Sequence, residues 1–232
     1  MNQTMLILRL LSLLASGALL VCAGVPASAR AAPPHTFTYT VEHPTYGDIG
    51  TYTDTVAETG KDMQIDTRMR IAVKVLGIVV HREDADRTEI WHGDRLVSFH
   101  SATTTNGKTL VVDGRAQGDK FIVTSPAGRA TAPADVEPSS PWAVRYARPG
   151  VMMSTKTGEL FPSRILGAGR AVVSVDGIKV PVRHFTIQTD TRDDVWLSHQ
   201  GVPVRFRTEV DGTPINFVLT PQDLAALGAG KG

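Results

Sequence analysis

The chain of 232 residues contains one cysteine, Cys22, inside an apolar N-terminal stretch. If that stretch is removed on export, no thiol remains. An intramolecular disulfide, a zinc–thiolate cluster and a cysteine nucleophile are then excluded. Net charge is nearly absent as well. The chain has 24 basic and 23 acidic side chains, and its first 31 residues hold Arg9 and Arg30 but no acid, which leaves 22 basic against 23 acidic groups downstream. That balance offers no electrostatic footprint for nucleic acid or an anionic membrane surface. Long helical periodicity is missing. So is an apolar run of transmembrane length, since Leu10 to Val21 falls short of the ~20 residues a spanning helix needs. What remains is 42% hydrophobic and 20% charged, a composition that argues against global disorder. About 200 residues after the leader suit a single domain with its own core.

The first 31 residues have the three-part layout of a secretory signal peptide. Met1 to Arg9 is weakly basic, and Leu10 to Val21 is apolar apart from Ser12, Ser16 and Gly17. Ala27-Ser28-Ala29 and Ala29-Arg30-Ala31 both fit a small-x-small cleavage site, and Pro26 breaks the run just before them. Val21 is too large for the position before a lipid-modified Cys22. The expected product begins near Ala32 and resides in the periplasm or is secreted, with no membrane span after cleavage.

Downstream, turn signals recur about every ten residues, among them Tyr46-Gly47, Gly60-Lys61-Asp62, His92-Gly93-Asp94, Asn106-Gly107, Gln117-Gly118-Asp119, Asp176-Gly177 and Asp211-Gly212. Asn-Gly and Asp-Gly supply the positive φ angles of tight hairpins. The runs between them are rich in Thr, Val, Ile and Phe and fit a pleated surface. Strands are expected at 36–42, 50–58, 63–75, 78–91, 95–104, 109–115 and 120–125. After a break they are expected at 159–166, 171–175, 179–188, 195–198, 204–210 and 214–220. Met63, Ile65, Thr67, Met69, Ile71, Val73 and Val75 alternate with mainly polar residues over 13 positions, so one face is buried and the other wet. At roughly 3.3 Å per residue this strand is too long for a flat sheet, which predicts a bent, strongly twisted one. The next strand pairs with it in one of two charge-compatible registers. One sets Arg70 against Glu83 and Asp66 against Arg87. The other sets Arg70 against Asp84 and Arg68 against Asp86. In either, polar groups adjoin the apolar stripe and mark a wet cavity or a sheet rim.

Residues 126–158 are richer in proline and read as a long connection. Ser140 caps a short central helix there, with Pro141 first and Trp142 to about Arg148 following, so that Trp142 and Tyr146 share a face. A C-terminal helix is expected with Thr220 as cap, Pro221 first, Asp223 in the capping-box position and Gly228 as stop. The predicted fold class is all-β and mainly antiparallel: a curved, strongly twisted meander forming a half-barrel or barrel, with one short central and one short C-terminal helix. Residues 32–232 form one domain.

Several motifs appear in a recognisable order: Phe37-Thr38-Tyr39-Thr40-Val41, Val73-Lys74-Val75-Leu76-Gly77, Thr88-Glu89-Ile90-Trp91 with Gly93-Asp94-Arg95-Leu96-Val97-Ser98, and Pro138-Ser139-Ser140-Pro141-Trp142. Thr155-Lys156-Thr157-Gly158, His184-Phe185, Val195-Trp196 and Gly201-Val202-Pro203-Val204 complete the series. The series resembles a family of exported proteobacterial proteins catalogued as domain of unknown function 6134. The Trp-then-Gly hairpin pattern is also similar to the curved half-barrels that include periplasmic lipoprotein carriers. The second implies a curved half-barrel fold, and neither brings catalytic residues.

Candidate chemistries give way to structural readings. His81, Asp84, Asp86, Glu89 and His92 form the densest ligand-type cluster, but on a strand His81 and Glu83 share one face while Asp84 and Asp86 share the other, so they do not converge on a metal. Ser139 and Ser140 lack a Gly-x-Ser-x-Gly elbow, and His184 sits on a strand face where a hydrogen-bonded histidine is ordinary. Asp193-Asp194 reads as a solvated turn after Asp190, and Gly167-Ala168-Gly169 reads as a turn rather than a phosphate loop. No cofactor is expected. The aromatic and apolar inventory remains. Met63, Met69, Trp91, Trp142, Tyr146, Met152, Phe185 and Trp196 are the candidate ligand-binding residues, with Trp142 and Tyr146 covering the mouth of a pocket and Met152-Met153 gating it. The expected function is non-enzymatic binding of an apolar or lipid-like ligand, or of an envelope partner protein. The alternatives are an envelope hydrolase built from Ser139 or Ser140, His184 and an acid, and a purely structural interaction module.

Overall fold

Four tight turns set the frame. Leu76-Gly77, Asn106-Gly107, Asp176-Gly177 and Asp211-Gly212 all place two consecutive residues at positive φ, the twist that lets two-residue hairpins match the strands they join. Three are the Asn-Gly and Asp-Gly steps of the sequence. At the fourth, Leu76 adopts φ 50° and is almost fully exposed. The computed structural model describes residues 33–143, 149–189 and 191–229; the leader lies outside them.

The chain runs through β1 (His35–His43), β2 (Gly47–Thr59), β3 (Asp62–Val75), β4 (Ile78–His92), β5 (Arg95–Thr105), β6 (Lys108–Gln117), β7 (Lys120–Ser125) and β8 (Gly128–Pro133). It continues through β9 (Glu137–Pro138), β10 (Gly150–Met153), β11 (Leu160–Val175), β12 (Ile178–Gln188), β13 (Arg192–Leu197), β14 (Pro203–Val210), β15 (Thr213–Leu219) and the helix α1 (Pro221–Ala229). All the strands join one sheet, β8-β7-β6-β5-β4-β3-β2-β1-β15-β14-β13-β12-β11-β10-β9. Every pairing is antiparallel except β9 with β10. The first strand pairs with the last, Tyr39 opposite Leu219, which makes a single meander of the two halves on either side of the Pro-rich break. The sheet does not close. Its edges, β8 and β9, carry Pro133 and Pro138, residues that suit strands with an unpaired side.

The observed β3–β4 register is the second of the two compatible with charge: Arg70 lies opposite Asp84 and Arg68 opposite Asp86. Arg70 and Arg68 both reach Asp86, at 2.8 and 3.3 Å. Three expectations are corrected. Gly167-Ala168-Gly169 is not a turn but the middle of β11, where an irregularity between Ile165 and Gly167 absorbs the extra residue and Gly169 pairs with His184. Asp193 and Asp194 lie inside β13, paired with Ile187 and Thr186. The 126–158 segment holds β8, β9 and β10, since edge pairing satisfies its backbone despite the prolines. Pro141 to Ala143 form a tight turn, and the rest of the expected central helix, 144–148, lies outside the described residues.

This segment packs against the concave face of the sheet. Val136, Trp142, Ala143 and Met153 are all at most 2% exposed. At Gly158 (φ 76°) an added Cβ would sit 2.9 Å from Ser125 Cβ and 3.2 Å from Val112 and Val123, so only glycine lets the 154–159 turn settle on β6 and β7 and bridge the open seam. At the other end of the chain, Asp223 of α1 accepts from Thr38 N at 2.7 Å and from the Thr220 hydroxyl at 3.0 Å. The capping box thus also fastens α1 to β1.

Candidate functional site

The concave face is solid at one end and hollow at the other. At the solid end Trp91, Leu96, Phe99, Val112, Phe121, Val123 and Trp142 are all buried to 2% exposure or less. Gly114 makes this possible: a Cβ there would collide with the Phe121 ring. At the hollow end lies a cavity of about 720 Å³, within the range typical of ligand pockets. Met69, Ile71, Val73, Ile49, Met152, Phe206, Phe217, Ile215, Val195 and Ile187 supply apolar walls. Tyr46, Val80, Val210 and Asp211 place its mouth among the β1–β2, β3–β4 and β14–β15 turns. A Glu83–Lys156 ion pair (2.6 Å), with Thr105 donating to Glu83 at 3.0 Å, ties β4 to the 154–159 turn along one side. Beside the mouth the β3–β4 tip exposes Leu76 (99%), Ile78, Val79 and Val80.

Between the two ends runs a buried polar row. Asp54 pairs across the sheet with Thr67, Thr67 with Arg87, and Arg87 with Ser101, so four neighbouring strands place polar side chains at one level of the concave face. Thr67 Oγ1 donates to Asp54 Oδ1 at 2.6 Å and Trp142 Nε1 to Asp54 Oδ2 at 2.7 Å. Glu89 is fully buried and accepts from Trp91 Nε1 at 3.1 Å. Burial lifts the Asp54 carboxyl from 3.8 to about 7, against the opposing pull of the Thr67 and Trp142 hydrogen bonds and of Arg87. It also raises Glu89, which Arg87, Ser140 and Trp91 pull back. Arg87 is the one member of this row that lines the cavity. Its side chain is 9% exposed, its nearest acid is Glu89 at 3.8 Å, and its Nε is buried without a hydrogen-bond partner. The cavity floor is therefore cationic and polar, formed with Tyr52, Thr103 and Ser140.

With this geometry in place, comparison with known proteins gives a family. A family match described as Domain of unknown function (DUF6134) spans residues 46–220, which takes in β2 through β15. The chain belongs to the DUF6134 family. No curated protein matches it. Among solved structures this DUF6134 chain is similar to a beta-barrel-like protein of domain of unknown function DUF1849 from Brucella abortus, with a TM-score of 0.61 and 12% identity, covering 81% of this chain and 95% of that one. At that identity the likeness shows the fold alone.

Of the eight candidate ligand-binding residues, Met69 and Met152 line the cavity of this DUF6134 protein. Met63 and Trp91 belong to the solid end, and Phe185 is buried apart from the cavity. Trp142 lies beneath the floor rather than over the mouth, because its indole N–H is held by the buried Asp54. Trp196 belongs to the convex face, stacked on His184 at 4.6 Å under Arg205. Tyr146 lies outside the described residues. Met153 is buried within the packing rather than at an opening.

The hydrolase constellation does not assemble. Asp193 and Val195 line the cavity, so Asp194 between them points to the convex face. There it accepts from His184 Nε2 and Thr186 Oγ1, at 2.8 and 2.7 Å, and from Arg207. Burial alone would raise the Asp194 carboxyl, but these three donors hold it below its usual range. Ser139 and Ser140 line the cavity on the other face, bonded to Thr155 and to Trp142 N. Asp86 and Glu89 likewise fall on opposite faces, and among the described residues no group of three or more His, Cys, Asp or Glu could hold a metal ion. Sequence reasoning missed Arg87 and Asp54 as interior groups. The signal was present for Arg87: it falls on the same alternation as Ala85, Glu89 and Trp91.

Proposed function

We propose that this DUF6134 chain is an exported, non-enzymatic binding protein of the cell envelope, cleaved near Ala29 or Ala31, whose hollow end takes up an apolar or lipid-like molecule. The observation that carries the reading is the cavity of about 720 Å³ with apolar walls, a size and lining typical of sites that take up an apolar ligand. The leader supports export. The exposed Leu76, Ile78, Val79 and Val80 at the mouth support contact with a further envelope component during loading, since a contiguous apolar patch there faces water unless covered. The test is native mass spectrometry of the exported protein before and after solvent extraction. A co-purifying lipid-like mass that extraction removes is the expected result. A protein that is free of ligand as isolated, and that takes up no apolar compound afterwards, would overturn the reading.

A further inference from the structure

We propose, resting on the apolar-ligand reading above, that the ligand is a single-chain amphiphile with a carboxylate head, bound head-first with the carboxylate against Arg87. The inward residues Val73, Ile71 and Met69 line the wall of the shaft, and Thr67, next in line, sits at the level of Arg87. At about 3.3 Å per residue that path is roughly 20 Å, long enough for an extended acyl chain. Its depth ends in a guanidinium rather than in more hydrocarbon. A buried guanidinium needs its donors satisfied, yet Nε of Arg87 has no partner and the nearest carboxylate, Glu89, stands beyond hydrogen-bond range at 3.8 Å. The guanidinium fork suits a planar carboxylate, which it can hold through two parallel hydrogen bonds.

Asp193, Asp211 and the Lys156-paired Glu83 line the cavity elsewhere; two acids lie beside Arg87 itself, and neither opposes the assignment. Asp54 and Glu89 do not line the cavity, so the face of Arg87 turned to the ligand is free of them. Burial raises both carboxyls, which weakens their claim on the arginine charge. Thr103, also at the floor, offers its hydroxyl to the second edge of a carboxylate. A cationic head would meet the like charge of Arg87 at this depth, and a neutral head leaves the guanidinium as it was.

The test is calorimetric titration of the delipidated full-length protein with decanoate, decanol and decylamine, which share a chain and differ in the head. Decanoate is expected to bind at least about tenfold more tightly than decanol, and decylamine more weakly than both. Because Arg87→Met alone would leave Glu89 buried beside no cation and threatens folding, the decisive variant is Arg87→Met with Glu89→Gln, which removes both charges and keeps an acceptor for the Trp91 indole. This variant is expected to bind decanol as the parent does and to lose the preference for decanoate. Equal affinity for decanoate and decanol, a preference for decylamine, or a decanoate preference that survives in the double variant would overturn the head assignment while leaving the apolar cavity standing. Failure of all three compounds to bind would overturn both.

Discussion

The two ends of β3 are built alike and end up different. Met63 and Ile65 at one end, and Met69, Ile71 and Val73 at the other, occupy the same alternation on the same strand. Yet Ile65 is fully buried, while Ile71 is only partly buried and lines an opening. What differs is the material brought from elsewhere. At the first end Trp91, Phe99 and Phe121 fill the concavity, and Trp142 is carried in by the Pro-rich segment and held by Asp54. At the second end the described residues leave a cavity between the apolar walls. A period of two fixes which face a residue takes; whether that face meets solid packing depends on other strands and on a segment carried in from far along the chain.

The sharpest way to break this comparison is a matched pair of truncations. Ile65→Ala is expected to cost about 2–5 kcal/mol, the range for deleting a fully packed side chain, whereas Ile71→Ala, in a wall that already borders a cavity, is expected to cost about 1 kcal/mol or less. Equilibrium denaturation with unchanged slopes measures both. Equal losses would mean that the hollow end is packed after all.

A second prediction concerns the polar row that divides the ends. The folded-state pKa of Asp54, about 7, lies above its ordinary 3.8, so the folded protein holds a proton that the unfolded chain releases. The contribution of this group is therefore fully present below about pH 4 and is lost as pH rises through about 7, on the order of 4 kcal/mol at most. Unfolding midpoints measured between those limits should fall with pH in the parent and much less in Asp54→Asn. A slope that survives the substitution would place the titration elsewhere.

The smallest effect sharpens the comparison from outside. Leu76→Ser and Ile78→Ser alter residues that are 99% and 69% exposed and should change stability by no more than about 0.5 kcal/mol. Any larger loss in thermal denaturation would show that the β3–β4 tip is packed in solution.

Much of the fold was legible because its determinants are local. Asn106-Gly107, Asp176-Gly177 and Asp211-Gly212 dictated hairpins, and the Met63 to Val75 alternation dictated a two-faced strand. Thr220 and Asp223 announced the final helix. Register was not legible, since Arg68 and Arg70 found acids in either alignment. Gly167 to Gly169 misled because a glycine pair marks a bulge as readily as a turn, and Asp194 misled because three donors on β12 and β14 compensate its burial. Of the residues named for a pocket, Met69 and Met152 fall at the cavity. Arg87 carried a signal in sharing the alternation of Ala85, Glu89 and Trp91, but a charge on a buried face is expensive; Asp54 carried none, because its partners Thr67 and Trp142 lie on other segments. Trp142 was assigned to the mouth because the carboxylate that draws it inward is 88 residues earlier in the chain.

The most direct test of the hollow end is calorimetric titration of decanol into the delipidated protein and into Ile71→Trp, which places a larger side chain in the shaft. The account predicts saturable one-to-one uptake by the parent and at least about tenfold weaker uptake by the plugged variant. No uptake by the parent, or uptake that the plug leaves unchanged, would contradict it.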